Sequence, residues 1–253
     1  MATVDLNADC GESFGPWQMG DDPAILKIVT SANVACGFHA SDPDTMALTL
    51  RTAKENGVSV GAHPGYDDKI GFGRRVIPMA PDAVMRMVAY QIGAMLAVAA
   101  LEGVTVSHVK AHGALSNFAS EDRATADAIA AAVKAVDPSL TLLAIATTEL
   151  ERAGKDAGLK VAAEIFADRA YEPDGNLVSR RKPGAMVHDA QTAATRVVEM
   201  VQTGQIVAHD GTRIDTDIHS ICVHGDSAHA VGIARAVKAA LEGAGVTVAP
   251  FAS

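Results

Sequence analysis

The sequence predicts an α/β fold, a (β/α) barrel built as one domain over residues 1–253. Three observations predict it. Short apolar runs alternate with longer helical patterns almost from end to end. Seven or eight such units fit in 253 residues, the size of a (β/α) barrel rather than of two domains. Polar residues gather just after the apolar runs, where such folds carry their chemistry.

The strand candidates are 3–8, 32–37, 58–62, 104–109, 140–146, 159–166, 218–223 and 246–249. Between them, apolar residues recur at helical spacing: Val84, Val88, Ile92 and Leu96; Thr125, Ile129, Ala132, Val133 and Val136; Ala194, Val197, Val198 and Val201; then Ala230, Ile233, Ala234, Val237 and Leu241. Helix starts are marked by Ser41-Asp42-Pro43, by Pro81-Asp82 and by Ser120-Glu121-Asp122, which place caps, proline and acidic groups where the first turn favours them. Gly57, Gly103, Gly158 and Gly245 follow helical runs and precede strands, as carboxyl-terminal caps do. Repeated strand–helix units with right-handed crossovers give a parallel sheet, either closed or open and doubly wound. The number of units favours closure.

Composition narrows the function. Apolar residues make up 49% of the chain and aromatics only 4%, so small aliphatic side chains must fill a core of the buried parallel kind. A net charge of −9 argues against nucleic acid and against a polybasic membrane contact. No signal peptide is evident, and the most apolar stretch, 92–101, is about half the length of a spanning helix. Cys10, Cys36 and Cys222 are odd in number and lack a CxxC spacing, which predicts a reducing, cytoplasmic setting and neither disulfides nor a zinc ribbon.

Polar residues collect at the predicted strand ends. The first strand leads into Asn7, Asp9 and Glu12, the second into Cys36-Gly37-Phe38-His39, and the third into His63-Pro64-Gly65-Tyr66. The fourth leads into Lys110-Ala111-His112-Gly113. The sixth carries Glu164 and leads into Asp168-Arg169, and the seventh leads into His224-Gly225-Asp226. Each has a plainer role open to it. A strand-end histidine often binds a loop carbonyl, Asp9 or Asp226 would serve as a helix cap, and Asn7 would brace a turn. Lys110 is harder to dismiss, because a buried ammonium needs a partner. His108 alternates with Lys110 and shares its face. The coincidence on one rim carries the case.

Three chemistries fit this rim. One is metal-assisted hydrolysis, with Asp9, His39 and His63 as ligands. Another is acid–base or nucleophilic work by Asp9 or Glu12, with Lys110 and His112 stabilising an oxyanion. The third is thiol catalysis by Cys10 or Cys36, although cysteine is commonly a small buried hydrophobe. Two loops suit anionic substrates: Gly71-Phe72-Gly73-Arg74-Arg75, and the long segment 167–187, with Asp168, Arg169, Arg180, Arg181 and Lys182. Neither a Walker A loop nor a GxGxxG is present.

At these same segments the chain resembles the LamB/YcsF family, the A subunits of 5-oxoprolinase. The matching residues are Asp5-Leu6-Asn7-Ala8-Asp9 with Gly11-Glu12, Ser31 to Ala40, Gly61-Ala62-His63-Pro64, Val109-Lys110 with His112-Gly113, Phe166-Ala167-Asp168-Arg169 with Tyr171, Asp174-Gly175, Leu177-Val178 and Val223-His224-Gly225-Asp226. Cys10 stands where leucine is usual, Ser13 where glycine is and Ala111 where proline is; Ala170 and Ser179 also differ. None of these removes an ionisable group.

The resemblance implies an irregular (β/α) barrel of about seven parallel strands, similar to the glycoside hydrolase/deacetylase superfamily. It implies ATP-dependent hydrolysis of the 5-oxoproline (pyroglutamate) lactam to L-glutamate, with companion subunits B and C and ATP supplied with Mg2+. It fixes positions and leaves roles open. The roles assigned here are catalytic for Asp9, Glu12, Lys110 and His112, and substrate-binding for Asn7, Asn33, Arg74, Asp168, Arg169, His224 and Asp226. A divalent metal on Asp9, His39 and His63 is a further expectation, and self-association is left open. The alternative reading is a metal-dependent amide or carbohydrate deacetylase on a related barrel; a third is a non-catalytic subunit that only binds substrate or partner.

Overall fold

The computed structural model describes residues 2–223 and 230–252. Seven strands close a parallel barrel: β1 (Thr3–Cys10), β2 (Ser31–Ala35), β3 (Ser59–His63), β4 (Val106–Lys110), β5 (Thr141–Ile145), β6 (Val161–Phe166) and, past an intervening hairpin, a last strand at Ser220–Val223. Each pairs with the next, and the last pairs with both β6 and β1, which shuts the ring.

The helices α1 (Asp22–Ile25), α2 (Pro43–Glu55), α3 (Pro81–Glu102), α4 (Gly113–Glu121), α5 (Arg123–Val136), α6 (Glu149–Asp156) and α7 (Ala190–Thr203) lie in the crossovers. The small antiparallel hairpin is β7 (Gln205–Val207) and β8 (Arg213–Asp215), so the closing strand is β9. Then come α8 (Ala230–Gly243) and β10 (Thr247–Val248). The eighth predicted strand is therefore no barrel stave: β10 pairs only with the start of β1, Thr3 opposite Thr247 and Val4 opposite Val248.

Much of the punctuation works as expected, although Ser120 and Glu121 end α4 and only Asp122 of that trio starts the next helix. Asp42 accepts from the Asp44 and Thr45 amides at the start of α2, Asp122 accepts from the Thr125 amide at the start of α5, and Gly103 closes α3 in the left-handed region. At 22 residues, α3 is long and apolar enough to cross a membrane by length and composition, more than the apolar stretch 92–101 suggests. It instead buries Val84, Met87, Val88, Ile92, Met95 and Ala99 in the core.

Alternation along β1 sorts its residues into two environments. Leu6, Ala8 and Cys10 join the hydrophobic core, whereas Asp5, Asn7 and Asp9 join a polar network inside the barrel. Register aligns this network across the staves: Asp9 lies opposite Asn33, Asn33 opposite Gly61, and Gly61 opposite His108.

Candidate functional site

The site rests on charges that the barrel cannot leave unpaired. Lys110, at the end of β4, is buried, with its Nζ 2.8 Å from Glu164 Oε1 and 3.1 Å from Asp9 Oδ1. It also reaches Asn7 Oδ1 at 3.3 Å and Cys222 Sγ at 3.1 Å. Burial disfavours the ammonium, but Asp9 and Glu164 outweigh it and hold the Lys110 pKa well above the usual lysine value. For Asp9, burial disfavours the charge, yet His63 and Lys110 prevail and keep its carboxyl well below the usual range. This ion pair is surrounded by amides. Asn33 donates to both Asn7 Oδ1 (2.7 Å) and Asp9 Oδ1 (3.0 Å), and Asn7 donates to Glu164 (2.9 Å) and Ser220 (2.7 Å).

His108 reaches Asn33 Oδ1 through Nε2 at 2.9 Å. That crossing needs an unencumbered neighbour: a Cβ on Gly61 would lie 2.2 Å from the His108 ring. From the opposite end of the barrel, Phe251 sits edge-on to His108 at 5.0 Å, and Ser59 Oγ donates to the Ala252 carbonyl at 2.8 Å.

Above Asp9 stand three histidines and Glu12. His63 Nε2 lies 3.2 Å from Asp9 Oδ2 and 3.1 Å from His112 Nδ1. Glu12 Oε1 lies 3.6 Å from His112 Nδ1 and 3.4 Å from His39 Nε2. The His39 and His112 rings stack in parallel at 3.7 Å. The loop of Phe72 and Gly73 covers them, and its close approach requires glycine: a Gly73 Cβ would come within 2.7 Å of His39 Cβ, at φ +61°. Burial pushes the His112 pKa down to about 3 and that of His39 well below its ordinary value, so both rings are neutral. Among the described residues, Glu12, His39, His63 and His112 bring ligand atoms within 4.8 Å of one another, close enough to hold a metal ion. His39, almost fully buried, has no hydrogen-bond partner at either ring nitrogen, as a donor set awaiting a cation would.

A cavity of about 450 Å³ opens over this floor, lined by Asp9, His63, Lys110, His112, Arg74 and Arg169 among others. That size suits a small molecule. Arg169 is buried; its Nη2 donates to the Val178 carbonyl at 2.7 Å, while its Nε has no hydrogen-bond partner. Burial, with the charge of Arg180 beside it, lowers the Arg169 pKa to about 10. A bound anion would relieve both. Arg75 turns away to pair with Asp68, so only Arg74 of that pair lines the cavity.

The rim residues separate into layers. Asp9, Lys110, His112, Arg74 and Arg169 meet at the cavity, and Glu12 and His39 stand behind the histidines. Asn7 and Asn33 are fully buried under Asp9, outside the cavity lining, and brace no turn. Asp168 is buried and its carbonyl accepts from the Val187 amide at 2.8 Å. His224 and Asp226 lie outside the described residues. The metal trio holds together in part: His39 and His63 fall in the cluster, with Glu12 and His112 beside them, and Asp9 adjoins it through His63. Thiol catalysis loses its footing. Burial pushes the Cys36 thiol up to about 12 and Cys10 well above its ordinary value, whereas a nucleophile needs the thiolate. Sequence reasoning places Glu164 on its strand and gives it no role. Its signal is a lone carboxylate in Val-Ala-Ala-Glu-Ile-Phe, a charge that a buried strand must pair.

Comparison with known proteins agrees with this architecture. A Rhodopseudomonas palustris protein that bears the name of the 5-oxoprolinase A subunit is 58% identical over 250 residues, 98% of each chain. The lactam utilization protein of Thermus thermophilus superposes with a TM-score of 0.93 at 46% identity, over 98% of this chain and all of that one. A deacetylase solved with its substrate shares the fold alone, at 14% identity and a TM-score of 0.50 over 99% of this chain and 88% of that one. The LamB/YcsF family profile matches residues 4–253, and the chain belongs to the LamB/YcsF family.

Proposed function

We propose that the chain is the A subunit of an ATP-dependent 5-oxoprolinase, which hydrolyses the 5-oxoproline lactam to L-glutamate together with companion subunits B and C. The observation that carries this reading is the full-length likeness to relatives bearing that name, 58% identical over 98% of both chains in one case. In it, residues 1–253 act as one catalytic barrel in the cytoplasm, and ATP arrives with Mg2+.

The lactam is a poor electrophile. Transfer of the γ-phosphoryl group to its carbonyl oxygen releases ADP and activates the ring carbon. Water then adds, the C–N bond breaks to free the amine, and a second water releases phosphate from the resulting acyl phosphate. Arg169, buried with an unpartnered Nε on the cavity wall, and Arg74 suit the substrate carboxylate. Lys110 suits the negative charge that develops on oxygen. Asp9 is held so firmly ionised that it is a weak base near neutrality; its work is to orient water and anchor Lys110. Asn7, Asn33 and Asp168 support this pair and Arg169 from behind, and His224 and Asp226 are assigned to substrate on the resemblance alone.

The histidine cluster favours one second reading, a metal-dependent amide or carbohydrate deacetylase. A divalent ion held there would supply Lewis acidity toward a carbonyl oxygen. The test is glutamate release from 5-oxoproline by the purified chain, with and without ATP and the two companions, for wild type and Asp9→Asn. Release only with ATP and companions, reduced at least about 100-fold in the variant, is the expected outcome. No glutamate from folded, assembled subunits would refute it, and deacetylation without ATP would establish the second reading.

A further inference from the structure

The outer face of α3 is uncharged over most of its length. Between Arg86 and Glu102 no residue carries a charge. The helix packs inward on α2, α5, β3 and β4, and the residues it leaves exposed between those two charges are Tyr90, Gly93, Ala97, Ala100 and Leu101. Their spacing of three and four residues puts them on one stripe about 16 Å long. Tyr90 is 67% exposed and Leu101 85%. On α2, Leu48 is also exposed, one turn before Arg51, whose guanidinium reaches Glu102 Oε1 at 2.9 Å. Scattered apolar residues are ordinary on a protein surface, whereas a continuous apolar face marks a contact. Gly93 adds to the case. Glycine weakens a helix interior relative to alanine, and a Cβ on Gly93 would meet nothing within 4 Å. The packing of this chain does not require glycine there, but close approach of another backbone does.

The order of side-chain sizes and charges along the stripe points to what covers it. A second α3 can lie antiparallel to the first, with a two-fold axis level with Met95. Gly93 of each copy then faces Ala97 of the other, Tyr90 faces Ala100, and Leu101 faces Ala89. Large meets small at both ends, and the small residues near the axis let the backbones approach. The nearest charges are complementary as well. Arg86 of one copy comes within two residues of level with Glu102 of the other, about 3 Å along the axis. Arg51 holds Glu102 Oε1, and Oε2 is left for the second copy. An isologous contact needs this self-complementarity. The uncharged stripe also lets two chains of net charge −9 meet without like charges opposed at the contact.

We propose that two copies of this chain form a two-fold dimer through the outer face of α3, with Gly93 and Ala97 at its centre and Arg86–Glu102 ion pairs at its ends. α3 lies in the crossover between β3 and β4, on the outer wall of the barrel, and none of its residues lines the cavity. The dimer therefore goes beyond the oxoprolinase reading and does not depend on it.

The test uses the full chain without ATP or companions. Sedimentation velocity over a dilution series reads association, and thermal melting of dilute protein reads the fold. Wild type should pass from monomer to dimer as its concentration rises. Gly93→Glu, whose side chain has open space in the single chain, should keep a cooperative melt and associate at least about 100-fold more weakly, because two carboxylates would be buried near the axis. Arg86→Glu and Glu102→Arg should each associate about 10-fold more weakly, since each sets like charges opposite one another. Mixed in equal amounts, these two variants restore both ion pairs and should associate at least about 10-fold more tightly than either alone. Wild type that stays monomeric up to its solubility limit overturns the dimer. A wild-type dimer left intact by Gly93→Glu overturns the role of α3, and a mixture no tighter than its components overturns the antiparallel register. Monomeric wild type whose Gly93→Glu variant fails to join the companion subunits would give the face to a companion instead of a second copy. None of these readouts involves glutamate, so failure here and failure of the oxoprolinase reading are separately visible.

Discussion

Gly61 and His108 show how tightly single residues are committed to one another inside this barrel. The imidazole occupies the space that any side chain at 61 would need, and in return it holds the Asn33 amide that donates to Asp9. Gly61→Ala should therefore cost about 1–3 kcal/mol of stability through overpacking and lower turnover by displacing Asn33. Combined with His108→Ala, it should cost less than the sum of the two single changes, because the second removes the clash. Urea denaturation of the three variants measures that coupling. An additive result would mean that the extra methyl group is accommodated without moving the ring. The sequence shows both residues, and their alternation with neighbours puts His108 and Lys110 on one face. It does not show which carbonyl each histidine meets, so Glu12 and His112 could not be grouped with His39 and His63 from spacing alone.

Elements are more legible than contacts, for a physical reason: strands and helices are set by local periodicity, whereas boundaries answer to pairing. β1 runs to Cys10, two residues past its predicted end, because Asp9 and Cys10 find register partners in Asn33 and Val34. That extension makes Asp9 a strand residue pointing into the barrel and removes the helix-cap role open to it in the sequence. The β7–β8 hairpin and the short α1 leave no such trace; three-residue strands and a four-residue helix are too brief to show a period. Caps, being local, are visible. Asp122 accepts from the Thr125 amide at 2.8 Å to start α5, so Asp122→Ala should lose about 1 kcal/mol. A lower urea midpoint with an unchanged denaturant slope is the expected signature.

Across the whole molecule, the polar interior makes stability depend on acidity. His108 and His112 have folded pKa values lowered to about 3 by burial, against about 6.5 in the unfolded chain. Above pH 6.5 neither state binds the proton, and their contribution is intact. Between about 6.5 and 3 the unfolded chain takes up protons that the folded chain refuses, so stability falls with pH by about 1.4 kcal/mol per unit for each group. Asp9, with its depressed pKa, adds a loss only at pH values under the ordinary carboxylate range. Replacing His108 with Gln should flatten the decline between pH 6.5 and 4.5 in metal-free protein by one group's share. Equal slopes for wild type and variant would show that His108 is protonated in the folded state.

Ring closure has its own consequence. β1 is flanked by β2 on one side and by β9 on the other, so its second edge stays bare until Ser220–Val223 has been synthesised. A ribosome-bound chain lacking that stretch holds two sticky strand edges, at β1 and at β6, of the kind that recruit stray partners. Joining β9 to β1 is a very distant pairing in sequence and carries a large loop-closure entropy. Biogenesis of this protein is thus gated by the arrival of Ser220–Val223, and chaperone protection matters most in the interval before that segment emerges.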